Sequence, residues 1–406
     1  MNWIENIIRR STPIAAGSEL EKQLVVRLID IASKRNNVGS SFGETMAAFY
    51  DLAISAVYYT NITNSGWLYC NEGTTPKLIL PFVNCCPIHA LKGDFVFHKS
   101  SKPTSAKIGQ ATTRVLLLFY QELFNVFNKN IQVLKATEPA DAVFIDKVNN
   151  SVFFGEIKSS PLLTPALAME CEPLTTFDKE GNIISMAHKP VDNPYVNKNE
   201  LFIIIPKKSN KNKWEPVYYS IGTKQSNTDN DYAYNGIIKL LGNEDFLNTY
   251  LDYWKSSFVA YGTKSESDNI FWLTNACGKP SNLPEDWTGG VTCISDEKTS
   301  VGMDRTDDIK KGIYQVLKLG SEGKGIKSTL HYKVGIVSNI HPVRHFDVYL
   351  KPIKDLIWTI SEIEGITYAK ELPPDQPVYN LFDGIITFTK VYSRDKWVSN
   401  LLAMLK

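Results

Sequence analysis

Asp141, Glu156 and Lys158 place two hard oxygen ligands and one ammonium group in a single short stretch, residues 137–161. Within it, the apolar runs Ala142–Ile145 and Val152–Phe154, the latter continuing through Ile157, flank the polar segment Lys147–Ser151. β-Branched and aromatic runs bounded by Asn and Pro predict two strands of a hairpin. With Asn149-Asn150 as a two-residue turn, Asp141 falls across from Lys158 and Val143 across from Glu156. Side chains alternate between faces, so Glu156 and Lys158 share one face and Ile157 points to the other. Asp141 is then one diagonal step from Glu156, a Cα separation of roughly 7–8 Å. A cation with bonds of about 2.1 Å joins two carboxylates whose side chains reach toward each other. Two carboxylates, a divalent ion and an adjacent lysine are the groups that phosphodiester hydrolysis requires.

An acid followed two places later by lysine is weak evidence alone, because it recurs in this chain. Asp308-Ile309-Lys310 falls in a predicted helix, where positions i and i+2 do not share a face. Glu322-Gly323-Lys324 falls in a Gly-rich loop. Asp296-Glu297-Lys298 follows the strand-like run Val291–Ile294, has Glu285 and Asp286 upstream and competes for the site. Against it, Thr288-Gly289-Gly290 leaves little strand to hold the partner acid. A salt-bridged surface hairpin is the plain alternative for Asp141, Glu156 and Lys158. His341 and His345 have a helical metal-ligand spacing, which Pro342 opposes. Cys85-Cys86-Pro87-Ile88-His89 reads as buried cysteines rather than a nucleophile with its base. No Gly-x-x-x-x-Gly-Lys loop occurs, so nothing points to ATP.

An Asp opening one strand, followed by Glu-x-Lys on the next, resembles the PD-(D/E)XK nuclease superfamily, best known from type II restriction endonucleases. Ala140 stands where the family has its Pro, and Pro139 lies one place earlier. The resemblance implies Mg²⁺ held by Asp141 and Glu156, with the carbonyl of Ile157 as a further ligand. Lys158 would orient or deprotonate the attacking water and offset negative charge. It also implies an extra acid on the preceding helix, for which Glu122 is the candidate, an exposed solubilising Glu being the alternative. A restriction enzyme cuts both strands of a palindrome, so a homodimer in a bacterial or archaeal cytoplasm is expected.

Several elements must position these residues. Helices are predicted over 18–36, 43–59 and 109–128, the last running into a strand at Ile131–Leu134 and then the hairpin. Helix followed by three strands is how the core of the resembled fold begins. Leu201–Ile205 and Val217–Ile221 read as strands, with a basic turn Lys207–Lys213 between them. Residues 235–255 show a helical pattern interrupted by Gly242. Short strands are predicted at Phe95–Phe97, Phe271–Leu273, Val291–Ile294, Leu330–Val337 and Gly384–Phe388. Helices are predicted at Asp304–Lys318 and Arg394–Leu405, and a helical or mixed segment at Tyr349–Glu362. The fold class is α/β (α+β), a mixed central sheet flanked by helices. Residues 1–105 form a mainly helical region. Residues 106–406 form the nuclease core, with insertions at 161–198 and 222–290.

The bulk chemistry is that of a folded protein: 406 residues, 43% hydrophobic and 21% charged. A net charge of +1 leaves nucleic acid open as a partner, since a nuclease needs a local basic groove rather than a basic whole. Arg305, Lys310 and Lys311, on or beside one predicted helix, are the candidates for DNA phosphates. The longest apolar runs are too short to cross a bilayer. Six cysteines without a Cys-x-x-Cys pair and no secretory leader predict a reducing cytoplasm.

Overall fold

The computed structural model describes residues 2–35, 41–73, 75, 77–94, 99–185, 189–209, 213–275, 301–359 and 369–401. The chain opens with helix α1 (Trp3–Arg10), strand β1 (Thr12–Pro13), and helices α2 (Glu19–Arg35) and α3 (Phe42–Thr60). Asn2 and Glu5 form a reciprocal capping box on α1, and Ser41 caps α3 through Glu44 N. Then come β2 (Trp67–Cys70), β3 (Lys77–Leu80), α4 (Pro87–Lys92) and α5 (Ser105–Phe127). Three strands follow directly: β4 (Ile131–Lys135), β5 (Ala142–Asp146) and β6 (Ser151–Ile157).

After β6 the chain leaves to build β7 (Leu167–Glu170), β8 (Thr175–Phe177), β9 (Ile183–Ser185), β10 (Lys189–Val191), β11 (Glu200–Lys208) and β12 (Trp214–Thr223). Helices α6 (Asp231–Leu240) and α7 (Glu244–Thr263) complete this excursion. Helix α8 (Thr306–Gly323) then returns to β13 (His331–Val337). The remainder is β14 (Ile357–Trp358), β15 (Tyr379–Asn380), β16 (Gly384–Ile386), β17 (Tyr392–Ser393) and helix α9 (Lys396–Leu401).

Two large sheets dominate the described residues, beside two two-stranded ribbons, β8-β9 and β14-β15. The first has the order β1-β4-β5-β6-β13-β16-β17. It is an antiparallel meander through β6, then parallel from β6 to β13 to β16. The mixed sheet flanked by helices is the α/β class predicted. Strands β5 and β6 are buried along their full length, which is why each reads as a near-continuous apolar run. One face packs Val133, Phe144, Phe153, Ile157 and Val337 with the Val115–Phe124 stripe of α5. The opposite face packs Val143, Val152, Phe154 and Ile336 with Ile4 and Ile7 of α1 and Ile309, Val316 and Leu319 of α8. Gly335 sits between Gly155 and Gly384 across neighbouring strands. A Cβ there would meet the Gly384 carbonyl oxygen at 2.0 Å.

The second sheet, β10-β2-β3-β7-β11-β12, is antiparallel throughout. Residues 1–105 are mainly helical and also contribute β1 to the first sheet and β2 and β3 to the second. Residues 161–198 include β7, a buried strand of that second sheet. Among the local expectations, one is corrected and two are refined. Phe271–Leu273 is part of a 3-10 turn, Asn269–Leu273, started by Asp268 accepting from Ile270 N. The pattern at 235–255 divides into α6 and α7 because Asn243 caps a new helix. The segment Tyr349–Glu362 is mixed, opening on the end of a π turn, Phe346–Leu350, and continuing to β14, and its residues 360–362 lie outside the described residues. The strands expected at Phe95–Phe97 and Val291–Ile294 lie outside the described residues.

Candidate metal and phosphate site

The hairpin that carries the site is closed by Asp146. Its carboxylate accepts from Val148 N and Asn149 N, both at 3.0 Å, and from Asn149 Nδ2 at 2.7 Å. That wraps 147–150 into a longer loop, with Asn150 at φ 47°, in place of the expected two-residue Asn149-Asn150 turn. Asparagine tolerates this left-handed conformation better than most residues. The register is therefore Asp146↔Ser151 through Ala142↔Gly155. Continued by one residue, it sets Asp141 directly opposite Glu156, which corrects the expected pairing of Asp141 with Lys158. The displacement is an even number of residues, so every side chain keeps its predicted face.

Asp141, just before β5, and Glu156, near the end of β6, thus meet at one end of these two interior strands, on the face covered by α8. Asp141 Oδ2 accepts from Ile157 N at 2.8 Å, fixing one carboxylate to the backbone beside the other. Lys158 Nζ bonds the Glu156 carboxylate and donates to the Ile157 carbonyl at 3.3 Å. Glu156 is buried, 7% exposed. Burial and then the Asp141 charge push its carboxyl up to about 7, against the pull of Lys158. A proton or a divalent cation relieves that crowding of negative charge. The residues present therefore suit Mg²⁺, which takes one or two carboxylates and keeps several waters.

The residues after β6 are held from several directions. Lys158 N donates to Val337 O at 3.0 Å, and Asn339 Nδ2 donates to Ser160 O at 2.9 Å. Buried Asp51 of α3 accepts from Leu162 N at 2.9 Å, Leu163 N at 3.0 Å and Trp254 Nε1 at 2.7 Å. Gly312 of α8 lies against the Lys158 stem, its Cβ position 3.5 Å from Cγ. Beyond Lys158 opens a cleft of about 290 Å³ between the first turns of α5 and α8. Lys102, Thr112, Lys158, Asn275, Arg305 and Lys311 are among its walls. Lys102, Lys158, Arg305 and Lys311 make the cleft predominantly positive, with Asp308 as an acidic group in its wall.

Arg305 and Lys311 are thus brought to the site, while Lys310 lies over the Tyr349 ring at 5.6 Å. Glu122 is not brought there. It sits beside Lys22 at 4.0 Å and accepts from Asn125, roughly 15 Å along α5 from Thr112. Asp296, Glu297 and Lys298 lie outside the described residues. Lys324 of the Gly-rich repeat of the motif is buried in an ion pair with Asp383 at 2.6 Å. His341 is buried against Phe346 and burial lowers its pKa to about 4. His345 bonds Asp304 at 2.8 Å. Lys102, Thr112 and Asn275 went unread in the sequence, since nothing local ties them to the hairpin. Cys85 and Cys86 are buried as expected.

No protein-family model, curated protein or solved structure matches this chain. No helix among the described residues is long and apolar enough to cross a membrane.

Proposed function

We propose that the chain is a divalent-metal-dependent phosphodiesterase acting on DNA. The observation that carries this reading is the pair of facing carboxylates, Asp141 and Glu156, with Lys158 bonded to one of them at the mouth of a basic cleft. Within that class the reading is a type II restriction endonuclease, Mg²⁺-dependent and specific for a double-stranded sequence. The order α5-β4-β5-β6, with α8 leading into a parallel β13, supports a core like that of the PD-(D/E)XK enzymes.

Asp141, Glu156 and the Ile157 carbonyl would hold Mg²⁺. When bound, the ion supplies a polarised phosphoryl oxygen and a more acidic water. Lys158 exchanges its bond to Glu156 for one to the attacking water or a phosphoryl oxygen, orienting the first or offsetting charge on the second. Arg305 and Lys311 contact flanking phosphates, which set register without reading sequence. Base contacts come from loops around the cleft. Two copies related by a dyad would cut the two strands of a palindromic site.

The test is incubation of wild type and Lys158→Ala with unmethylated plasmid, in Mg²⁺ and in chelator. Discrete Mg²⁺-dependent fragments from wild type alone are expected. Cleavage confined to branched or damaged DNA would move the reading to a structure-specific repair or recombination nuclease. Fragments persisting in the variant would shift the site to Asp296-Glu297-Lys298. Retarded migration without cleavage would leave a non-catalytic DNA-binding protein.

A further inference from the structure

A second cluster of ligating groups lies in the other sheet. Cys70 ends β2, Cys86 is the N-cap of α4 and His89 lies in the first turn of α4. Their side chains are buried. His89 Nδ1 is 3.4 Å from Cys86 Sγ and 3.8 Å from Cys70 Sγ, and the three ligand atoms all lie within 4.8 Å of one another. A tetrahedral zinc with Zn–S of about 2.3 Å and Zn–N of about 2.0 Å holds its ligands roughly 3.5–3.8 Å apart.

We propose that Cys70, Cys86 and His89 bind a zinc ion that ties the end of β2 to the start of α4. Two sulfurs and an imidazole select zinc over the hard cation suited to Asp141 and Glu156. The far side of the ring is arranged for this role. Glu72 Oε1 is 3.9 Å from His89 Nε2, and Glu72 is itself bonded by Lys92. A proton on Nε2 facing that carboxylate leaves the Nδ1 lone pair for the metal, the usual outer-shell device.

Pro87 at the first helical position fixes the turn that brings Cys86 and His89 to one side. A cleft of about 960 Å³, whose walls include Glu72, Lys77 and Tyr218, adjoins the cluster. A water molecule or a nearby carboxylate would complete the fourth position. Binding converts two thiols to thiolates and releases their two protons. Because those protons compete with the metal for the sulfurs, uptake weakens as the solution is acidified.

The test is metal analysis of the reduced full-length chain, followed by cobalt substitution. One equivalent of zinc as isolated, or uptake of one equivalent on addition, is expected. Cobalt should give thiolate charge-transfer bands and tetrahedral d–d bands. Cys86→Ser and His89→Ala should lose these bands, and Cys171→Ser should keep them. Should the variants fail to fold, wild type decides: zinc must slow alkylation of Cys70 and Cys86 and leave Cys171 unaffected. A reduced chain that takes up neither metal overturns the proposal, as do a Cys70–Cys86 disulfide in the native protein and cobalt bands that survive in Cys86→Ser.

Discussion

In metal-free protein at alkaline pH, replacing Glu156 with Gln should stabilise the fold. A carboxyl moved from its ordinary 4.5 to about 7 by burial and by Asp141 disfavours the charged folded state by about 3 kcal/mol. The sign follows from proton binding. Between about 4.5 and 7 the folded chain keeps a proton that the unfolded chain has released, so wild-type stability falls as pH rises through that window. Below the window Glu156 is neutral in both states and the penalty vanishes. Above it the penalty is complete. Gln carries none of it but leaves Lys158 without its partner, so the net gain at pH 8 is on the order of 1–2 kcal/mol.

Urea unfolding of wild type and Glu156→Gln in chelator, from pH 4.5 to 8, measures this directly. The variant should match or trail wild type at the acid end and exceed it at the alkaline end. Mg²⁺ should reverse the order, because an ion bound only by the folded wild type adds about 2.7 kcal/mol at a hundredfold excess over its dissociation constant. A variant less stable than wild type by the same margin at every pH would refute the reasoning about paired charge. Equal stabilisation of both proteins by Mg²⁺ would refute the metal site whatever the activity.

Asp51→Ala should cost about 3 kcal/mol or more in urea unfolding, because three buried donors lose their acceptor; Asp51→Asn, which keeps an acceptor oxygen, should cost less. Lys324→Met should lower stability by about 3–5 kcal/mol by leaving Asp383 charged and buried. Adding Asp383→Asn should recover part of that loss, and a calorimetric comparison of the single and double variants checks it. Gly335→Ala should destabilise by about 1–3 kcal/mol or prevent folding, since the new methyl meets the Gly384 carbonyl. Thermal unfolding reads the difference.

The part of the molecule legible in the sequence is the part that local rules govern. The α5-β4-β5-β6 run was visible because apolar periodicity and strand length are properties of neighbouring residues. The class, a mixed sheet flanked by helices, followed from the same runs. The second sheet was not visible as a unit, because it pairs β2 and β3 with β7 and β11 across a long stretch of intervening chain. Strand pairing at that separation depends on which elements meet after collapse, and no turn signal records it. The separate helix that begins after Gly242 was not visible for a different reason. Gly242 reads as an interruption of one helical pattern, and only the Asn243 side chain bonding to Asp245 N and Phe246 N marks a new start.

The hairpin shows why a site can survive an error in the turn that makes it. Asn149-Asn150 has the composition of a two-residue turn, but the Asp146 carboxylate reaches three donors beyond it and enlarges the loop. Strand pairing then slides by an even step, which preserves the face of each side chain and changes only which residues are opposite. Glu156 and Lys158 therefore stay on the face shared with Asp141, as alternation required. The slide moves Asp141 from a diagonal to a direct relation with Glu156, and that contact contributes to raising the Glu156 carboxyl. An odd step would have turned Asp141 toward α5 and left Glu156 paired with Lys158 alone. The chemistry thus depends on the parity of the hairpin more than on its length. Inserting one residue within β5, between Val143 and Phe144, should abolish metal-dependent stabilisation by turning Asp141 to the other face, whereas inserting one into the loop 147–150 should retain it, and the Mg²⁺ dependence of urea unfolding distinguishes these outcomes.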